Sequence, residues 1–249
     1  MSPQGKAARY ASVLVLICAA AALGVSLVYS ITRERIELRK AQEVEAGRAA
    51  VFGVPGVAFR SLSETEGVCP VYGESQELTG YEQRAKAGDS AVSDQDEVLA
   101  AYDGDKLIGY LAMGAGQGYK SRLQVLVGAS ASEDGGWVIY GVFLLDASCQ
   151  ETPGLGTRIK EKPSSGTVWG NLFGGKSAKA DGGDEMPRFW SQFKGKTYEQ
   201  LVVTKAAETG KIQAISGATI SSRGMTAAVR NGLWKIEKAC AALKNHQEE

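Results

Sequence analysis

An apolar run without any charged side chain extends from residue 10 to residue 32. At about 1.5 Å per residue, a helix of this length crosses the roughly 30 Å hydrocarbon core of a bilayer. Tyr10 and Tyr29 lie near its ends, where interfacial aromatic side chains are common. The alternative, a cleavable signal peptide, has a shorter apolar region of about 7 to 15 residues. We therefore predict a transmembrane helix over residues 10–32, after an N-terminal segment over residues 1–9.

A polar pattern of helix-forming residues follows this run. From Arg33 the chain has no proline or glycine until Gly47, so we expect the helix to continue as a juxtamembrane stalk over residues 33–50. The sequence "FGVPGV" then breaks the helix. The remaining residues, 51–249, are predicted to form one domain.

Beyond residue 97 the period of the apolar positions changes to two, which is typical of strands. "EVLAAYDGDKLIGYLAM" predicts a hairpin with Asp103-Gly104 as its turn. "RLQVLV" alternates, so that Leu123, Val125 and Val127 share one face. These patterns predict an antiparallel meander.

The next segment, "WVIYGVFLL", is apolar on both faces. Strict alternation divides it into two sets, with Val138, Tyr140, Val142 and Leu144 on one face and Trp137, Ile139 and Phe143 on the other. A strand that is buried on both faces is usually central in its sheet. We therefore expect this strand in the middle of the sheet.

A helical pattern of about twenty residues closes the chain. Its apolar positions can line one side of the helix: Met225, Ala228, Val229, Trp234, Ile236 and Cys240. Together the patterns predict an α+β fold, in which a transmembrane helix precedes one domain with a mainly antiparallel sheet and packed helices.

The composition excludes several kinds of chemistry. The formal net charge is zero, which argues against a nucleic acid partner. The only histidine is His246, in a polar C-terminal tail, so a Ser–His or Cys–His pair and a histidine zinc site have no plausible members. Any chemistry would therefore come from a bound group.

Four cysteines without a CxxC motif predict no metal site. Cys18 lies in the apolar run, and we expect Cys69, Cys149 and Cys240 to be buried thiols. A Cys69–Cys149 disulfide is the alternative if the domain is extracytoplasmic.

"GNLFGGKS", from Gly170 to Ser177, matches the phosphate-loop pattern letter for letter. Such a loop holds phosphates only between a buried strand and a helix. Here it lies in a glycine-rich stretch, residues 160–187, and Pro187 follows. We therefore expect no nucleotide at this segment.

Two short motifs are the candidates for a functional site. "ETPGLG", from Glu151 to Gly156, has a proline and two glycines that let the backbone approach a flat ligand. "SGATISS", from Ser216 to Ser222, precedes the last helix, and Ser221 or Ser222 can cap that helix. The residues alone leave two interpretations of this motif open, an ordinary helix cap or an anion such as a phosphate held beside a hydroxyl.

Both motifs resemble signatures of the FMN-binding domain that the G subunit of the Rnf electron transport complex shares with the C subunit of the sodium-translocating NADH:quinone oxidoreductase. "SGATISS" is similar to the flavin attachment motif and "ETPGLG" to the second signature. "GYKSRLQVLVGAS", "FWSQFKGK" and the single N-terminal span also resemble the family in order and spacing. The chain resembles the G subunit of the Rnf complex more than it resembles the C subunit of the quinone oxidoreductase.

The resemblance implies FMN as cofactor, joined by a separate flavin transferase to Thr219 through a phosphodiester. The resemblance also implies two further groups of cofactor-binding residues. The group around the attachment site is Ser216, Gly217, Ala218 and Ser222. The group near the flavin ring is Glu151, Thr152, Gly154, Leu155 and Lys196. Lys194 is the alternative to Lys196. The protein itself would supply no catalytic side chain, because the cofactor carries the chemistry.

The resemblance also implies a single-pass protein of the cytoplasmic membrane whose domain, residues 51–249, is extracytoplasmic. The basic residues Arg33, Arg35 and Arg39 would favour the opposite orientation, but long segments translocate largely regardless of charge. The flavin would relay single electrons between other subunits of an ion-translocating membrane complex. A membrane-anchored, non-redox sensory module that binds FMN is the alternative of a different class.

Overall fold

The computed structural model describes residues 3–54, 56–62, 97–132, 136–162, 186–206 and 208–247. Its first element, α1 (Pro3–Phe52), is one continuous helix over the predicted span and stalk. By length and composition this helix could cross a membrane, with a mean hydropathy of 2.4 over its most apolar part. The chain divides into two units, residues 1–43 and a compact unit over residues 44–249. The sequence placed the start of the domain at residue 51, and these domain boundaries stay a prediction.

The compact unit is built on a five-stranded sheet. Its strands are β1 (Ala58–Ser61), β2 (Leu99–Asp103), β3 (Lys106–Gln117), β4 (Arg122–Ala131) and β5 (Trp137–Leu144). Neighbouring strands are consecutive in the chain and antiparallel, so the predicted meander is confirmed.

The β2–β3 turn lies one residue later than predicted. Asp103 pairs with Lys106, which makes Gly104 and Asp105 the two turn residues. Gly104 has a φ of 62°, a left-handed conformation that glycine adopts without a Cβ clash.

The prediction that the strand with two apolar faces is central was wrong. Among the described strands, β5 is at the edge of the sheet, although both its faces are covered. The edge of β5 that faces away from β4 forms hydrogen bonds with residues 195 and 196. The N–H of Ile139 donates to the carbonyl of Lys196 at 3.0 Å, and the N–H of Gly195 donates to the carbonyl of Ile139 at 2.8 Å.

The predicted faces of β5 were also partly wrong, because a bulge interrupts the alternation. Gly141 pairs with Gly128 and Ile139 with Ala129, so Tyr140 has no partner in the register. Ile139 therefore joins Val142 in one apolar cluster, whereas Tyr140 packs in the other.

A long C-terminal helix covers one face of the sheet. We label it α3 (Thr219–Gln247), and α2 is the short helix Arg188–Ser191. The helix packs mainly on β3 and β4, where glycines permit a close approach. A Cβ on Gly114 would collide with the backbone of Ala228, and one on Gly232 would lie 2.7 Å from a methyl of Val127. The C-terminal end of α1, with Val51 and Phe52, packs on the other face of the sheet.

The buried side of α3 is close to the one predicted. Met225, Ala228, Val229, Ile236 and Cys240 are buried as expected. Trp234 is not part of the buried set, and Leu233 occupies that position of the core instead. Trp234 lies under the ammonium of Lys238, whose Nζ is 4.9 Å from the ring centroid.

Short elements connect β5 to α3. They are the 3₁₀ helices Asp146–Ser148, Gly156–Lys160 and Tyr198–Gln200, the helix α2, and two parallel strands, β6 (Val203–Thr204) and β7 (Ile212–Gln213). Cys149 and Cys240 are buried thiols. Cys69 lies outside the described residues, as does the "GNLFGGKS" segment, so the predictions made for them stay predictions.

Candidate functional site

Thr219, the predicted attachment residue, is the first residue of α3 and is half-buried. A tight turn precedes it, in which the N–H of Ala218 donates to the carbonyl of Ile215 at 2.9 Å. Gly217 has a φ of 80°, so this position favours glycine. The SGAT segment (residues 216–219) thus places the threonine hydroxyl at the N-terminal end of a long helix.

The prediction that Ser221 or Ser222 caps the helix was wrong, because α3 begins two to three residues earlier. Both serines are buried inside its first turn. The Ser222 hydroxyl accepts from the N–H of Ile215 at 3.1 Å and donates to the carbonyl of Ala218 at 2.9 Å. Ser222 therefore stabilises the turn that leads into α3, and its assignment as a cofactor-binding residue stays a prediction.

The first turn of α3 has N–H groups without an acceptor. Within the described residues, no hydrogen bond is formed by the N–H of Thr219, Ile220 or Ser221. The first turn contains no acidic side chain to compensate the positive end of the helix dipole. Unpaired N–H groups at such a position favour a bound anion. The arrangement fits a phosphate beside the Thr219 hydroxyl.

Glu151 is the centre of the polar contacts at this site and is only 4% exposed. Its Oε1 accepts from the N–H groups of Lys120 and Ser121, at 3.0 and 3.2 Å, and from the Ser121 hydroxyl at 3.3 Å. Its Oε2 accepts from the N–H of Tyr119 at 3.2 Å and from the Ser221 hydroxyl at 2.5 Å. We call this set the Glu151 network. It joins the β3–β4 turn (residues 118–121) to the first turn of α3.

The hydrogen bonds determine the charge of Glu151. Burial acts to raise the pKa of this carboxyl, but the bonds from Ser221 and from the three backbone N–H groups outweigh it and lower the pKa. The side chain is therefore a carboxylate near neutral pH. A carboxylate satisfies five donors at once because both of its oxygens are only acceptors.

Two glycines make room for the Glu151 network. A Cβ on Gly118 would collide with Oε1 of Glu151. A Cβ on Gly156 would lie 2.7 Å from Oε2 of Glu151 and 2.9 Å from Oγ of Ser221. The second glycine of "ETPGLG" is thus required by this carboxylate, a role that the sequence alone did not suggest.

The other predicted ring residues lie in the turn after Glu151. The carbonyl of Thr152 accepts from the N–H groups of Leu155 and Thr157, both at 3.2 Å. Gly154 has a φ of 74° and open space around it. The Leu155 side chain is exposed and lies beside the SGAT segment, because a Cβ on Gly217 would be 3.2 Å from its Cδ2. The structure thus brings the two motifs together.

Two exposed apolar side chains near the site were missed by the sequence analysis. Tyr119 is 64% exposed and Ile220 is 52% exposed, compared with 49% for Leu155. Tyr119 lies in the β3–β4 turn, and Ile220 follows Thr219 directly. With Leu155 they provide apolar surface around the first turn of α3. Their position in or next to the quoted motifs was the available signal, but only the fold shows that they are exposed.

Lys196 occupies a different place from the other predicted residues. Its backbone pairs with Ile139 in the first half of β5, whereas Glu151 follows the C-terminal end of that strand. Among the described contacts, none joins Lys196 to the Glu151 network or to the SGAT segment. Its assignment as a ring contact stays a prediction.

A cleft of about 350 Å³ adjoins the SGAT segment at Ser216. Arg158 and Arg188 contribute positive charge to its walls, and Gln213 and Ile215 lie along the segment that leads to Ser216. The guanidinium of Arg158 donates to the carbonyl of Ser216 at 3.2 Å. This contact holds the SGAT segment against the 3₁₀ helix Gly156–Lys160.

Comparison with known proteins identifies the class of domain. Residues 118–233 match the family described as FMN-binding domain. The matched residues include the Glu151 network and Thr219. The start of α3 fits FMN, because it offers a hydroxyl, N–H groups that have no acceptor within the described residues, and exposed apolar side chains nearby.

The chain is also similar to particular components of ion-translocating complexes. It is 29% identical to the G subunit of the Na⁺-translocating ferredoxin:NAD⁺ oxidoreductase complex of Acetobacterium woodii, over 87% of this chain and 85% of that protein. It is 26% identical to the G subunit of the ion-translocating oxidoreductase complex of Aliivibrio fischeri, over 95% of this chain and 90% of that protein. The predicted resemblance to the Rnf protein is thereby confirmed.

Among solved structures, the chain is similar to Shewanella oneidensis NqrC, with a TM-score of 0.40 and 22% identity over 60% of this chain and 61% of that one. Together with the apolar N-terminal helix, the likeness to components of ion-translocating complexes indicates a membrane-anchored protein.

Proposed function

We propose that this chain is the flavin-carrying electron-transfer component of an ion-translocating oxidoreductase complex, of the kind that its relatives from Acetobacterium and Aliivibrio represent. The match to the FMN-binding domain and the similarity over most of the chain support this proposal. It is not a stand-alone catalyst in this proposal, since its electron donor and acceptor are other subunits of the complex.

The observation that carries the proposal is the place of Thr219. Its hydroxyl lies at the N-terminal end of α3, next to three N–H groups that have no acceptor among the described residues. We propose that the Thr219 oxygen forms a bond to the phosphorus of a flavin phosphoanhydride. The anhydride bond breaks, its other phosphate-bearing part leaves, the hydroxyl proton is released, and FMN stays on Thr219 as a phosphodiester. A separate flavin transferase would form this bond, as the family resemblance implies.

The chain's own residues would bind and orient the group. The N–H groups of the first helical turn would donate to the phosphate, and the helix dipole would stabilise its negative charge. Leu155, Tyr119 and Ile220 offer apolar surface to a flat ring system. Lys196 stays in the proposal as a ring contact. A bound flavin supplies one-electron redox chemistry, which no side chain of this site provides.

The attachment is tested by substituting Thr219 in the full chain, co-expressed with a flavin transferase. Thr219→Ala should abolish the fluorescent band on a denaturing gel, whereas Thr219→Ser, which keeps the hydroxyl, should retain part of it. Thr204→Ala is the matched control, since it removes a threonine hydroxyl that lies outside both motifs and bonds the carbonyl of Ala206, and it should leave the band unchanged. A band that persists in Thr219→Ala, with the mass increment on another residue, would contradict the assignment.

A redox role is distinguished from a sensory one in the assembled complex. The flavin absorbance of this protein should bleach and recover during turnover with the electron donor of the complex. A flavin that stays oxidised throughout turnover would favour the sensory alternative.

We also propose that the domain lies outside the cytoplasm, on the basis of the family resemblance. Gln247→Cys, in a chain without Cys69, Cys149 and Cys240, should react with a membrane-impermeant thiol reagent on intact spheroplasts. A reaction that requires lysis would place the domain in the cytoplasm and would exclude this location.

A further inference from the structure

We propose that Glu151 is a positioning residue, whose carboxylate holds the first turn of α3 against the β3–β4 turn and thereby places the Thr219 hydroxyl. This assigns Glu151 a role different from the flavin contact that the family resemblance implied. The part that concerns Thr219 rests on the proposed function, whereas the structural part does not.

The first observation is that Glu151 has no capacity left for a ligand. Its two oxygens accept five hydrogen bonds from the protein, three at Oε1 and two at Oε2. A carboxylate has about four lone-pair sites, so these bonds already occupy it. At 4% exposure, the side chain is also covered. Glu151 therefore faces protein groups and not the surface on which Thr219 and Leu155 lie.

The second observation is that the donors come from segments far apart in the chain. Ser221 is 70 residues from Glu151, and Lys120 is 31 residues away on the other side. Tyr119 and Ser221 donate to the same oxygen, so this carboxylate joins the two segments. Without it, three N–H groups of a turn and a buried hydroxyl would lose their acceptor at the same time.

The third observation connects the network to the attachment residue. Ser221 is two residues after Thr219 in the first turn of α3. The side chain of Ser221 bonds to Glu151, which lies outside α3. The described hydrogen bonds of the Ser222 side chain, in contrast, stay within residues 215–222. The Ser221–Glu151 bond therefore contributes to the orientation of the turn and of the Thr219 hydroxyl, together with the contact of Arg158 with the carbonyl of Ser216.

A neutral amide cannot replace the carboxylate. Glutamine has the same shape, but its NH₂ group would face either the N–H groups of Lys120 and Ser121 or the N–H of Tyr119. At least one backbone N–H would then be opposed by another donor. The structure thus predicts that Glu151→Gln has nearly the same local effect as Glu151→Ala. If only the shape of the side chain mattered, Glu151→Gln would have little effect.

The experiment uses the detergent-solubilised full chain with the substitutions Glu151→Gln, Glu151→Ala, Ser221→Ala and the double variant Glu151→Gln/Ser221→Ala. Glu208→Gln is the matched control, because it removes an exposed carboxylate that pairs only with Lys211 among the described contacts. Amide hydrogen exchange is measured with purified protein, and flavin attachment is followed at increasing concentrations of the acceptor chain. The visible circular dichroism of the attached flavin reports on the ring.

We expect amide exchange to rise at least about tenfold at residues 119–121 and at 222–225, the first hydrogen-bonded amides of α3, in both Glu151 variants. Exchange in β4 and in the C-terminal half of α3 should stay within about twofold of the unsubstituted chain. The rate of attachment at saturating acceptor should fall, and Ser221→Ala should reproduce this fall while leaving residues 119–121 protected. The double variant should be no worse than Glu151→Gln, because both changes break the same bond.

Unchanged exchange at residues 222–225 in both Ser221→Ala and Glu151→Gln would overturn the proposal. So would normal attachment and exchange combined with altered circular dichroism of the flavin in Glu151→Gln, since that result would make Glu151 a ring contact. If the unsubstituted chain takes no flavin at Thr219, the proposed function fails, but the exchange measurement still decides the role of Glu151. If Glu151→Ala does not fold, Ser221→Ala provides the same decision.

Discussion

The two glycines of "ETPGLG" should be required for different physical reasons, and a pair of alanine substitutions separates them. Gly156 is not among the glycines with positive φ, yet a Cβ there would lie 2.7 Å from Oε2 and 2.8 Å from Cβ of Glu151. Favourable contacts between carbon atoms are at about 3.5–4.0 Å, so neighbouring atoms must move. Gly154 has a φ of 74°, and a Cβ there would meet nothing within 4 Å, so only its backbone conformation opposes alanine.

The expected cost of Gly156→Ala follows from these contacts. Overpacking a buried site costs about 1–3 kcal/mol. Displacing Ser221 from the carboxylate removes a hydrogen bond to a charged group, which contributes about 1.5–3 kcal/mol. Adding a value from the lower half of each range, we expect the free energy of unfolding to fall by about 3 kcal/mol. For Gly154→Ala, we expect about 1 kcal/mol from the left-handed backbone.

The assay is urea unfolding of the detergent-solubilised full chain, followed by tryptophan fluorescence. Gly154→Asn is a useful third variant, because asparagine tolerates the left-handed conformation better than alanine and should cost less. The explanation would be refuted if Gly156→Ala unfolded within about 0.5 kcal/mol of the unsubstituted chain, an effect typical of an ordinary surface site. It would also be refuted if Gly154→Ala were the more destabilising of the two substitutions.

Two further predictions concern pH and helix packing. Because the pKa of Glu151 is lowered in the folded state, its contribution to stability is present above the usual glutamate pKa and is lost as the pH falls through the lowered value. The difference in free energy of unfolding between the unsubstituted chain and Glu151→Gln should therefore shrink in acid, and a difference that grows towards low pH would contradict the sign. Gly114→Ala should cost at least about 2 kcal/mol, because a Cβ there would collide with the carbonyl of Ala228 and push α3 away from β3. Gly136→Ala, which has open space, is the control in the same unfolding assay, and equal stabilities would be inconsistent with the close helix–sheet contact.

The sequence by itself determined the elements whose signals are local. The charge-free run, the period of two in the strands and the apolar side of the last helix are properties of neighbouring residues, so the long N-terminal helix, the antiparallel meander and the C-terminal helix could be predicted. The motifs "ETPGLG" and "SGATISS" were visible for the same reason, and the match to the FMN-binding domain covers both.

Other features depend on contacts between distant parts of the chain, and only the tertiary structure decided them. Strict alternation misplaced Ile139 and Tyr140, because a bulge is a property of two paired strands and not of one. Trp234 was predicted in the core where Leu233 lies, since the register of a helix against a sheet depends on where the glycines let it approach.

The clearest case is Glu151. Its motif was recognised in the sequence, but its role could not be, because its partners lie 30 residues before it at Ser121 and 70 residues after it at Ser221. A buried carboxylate is stable only when enough donors surround it. Which donors those are is decided when the β3–β4 turn and the first turn of α3 meet, and that meeting exists only in the folded chain.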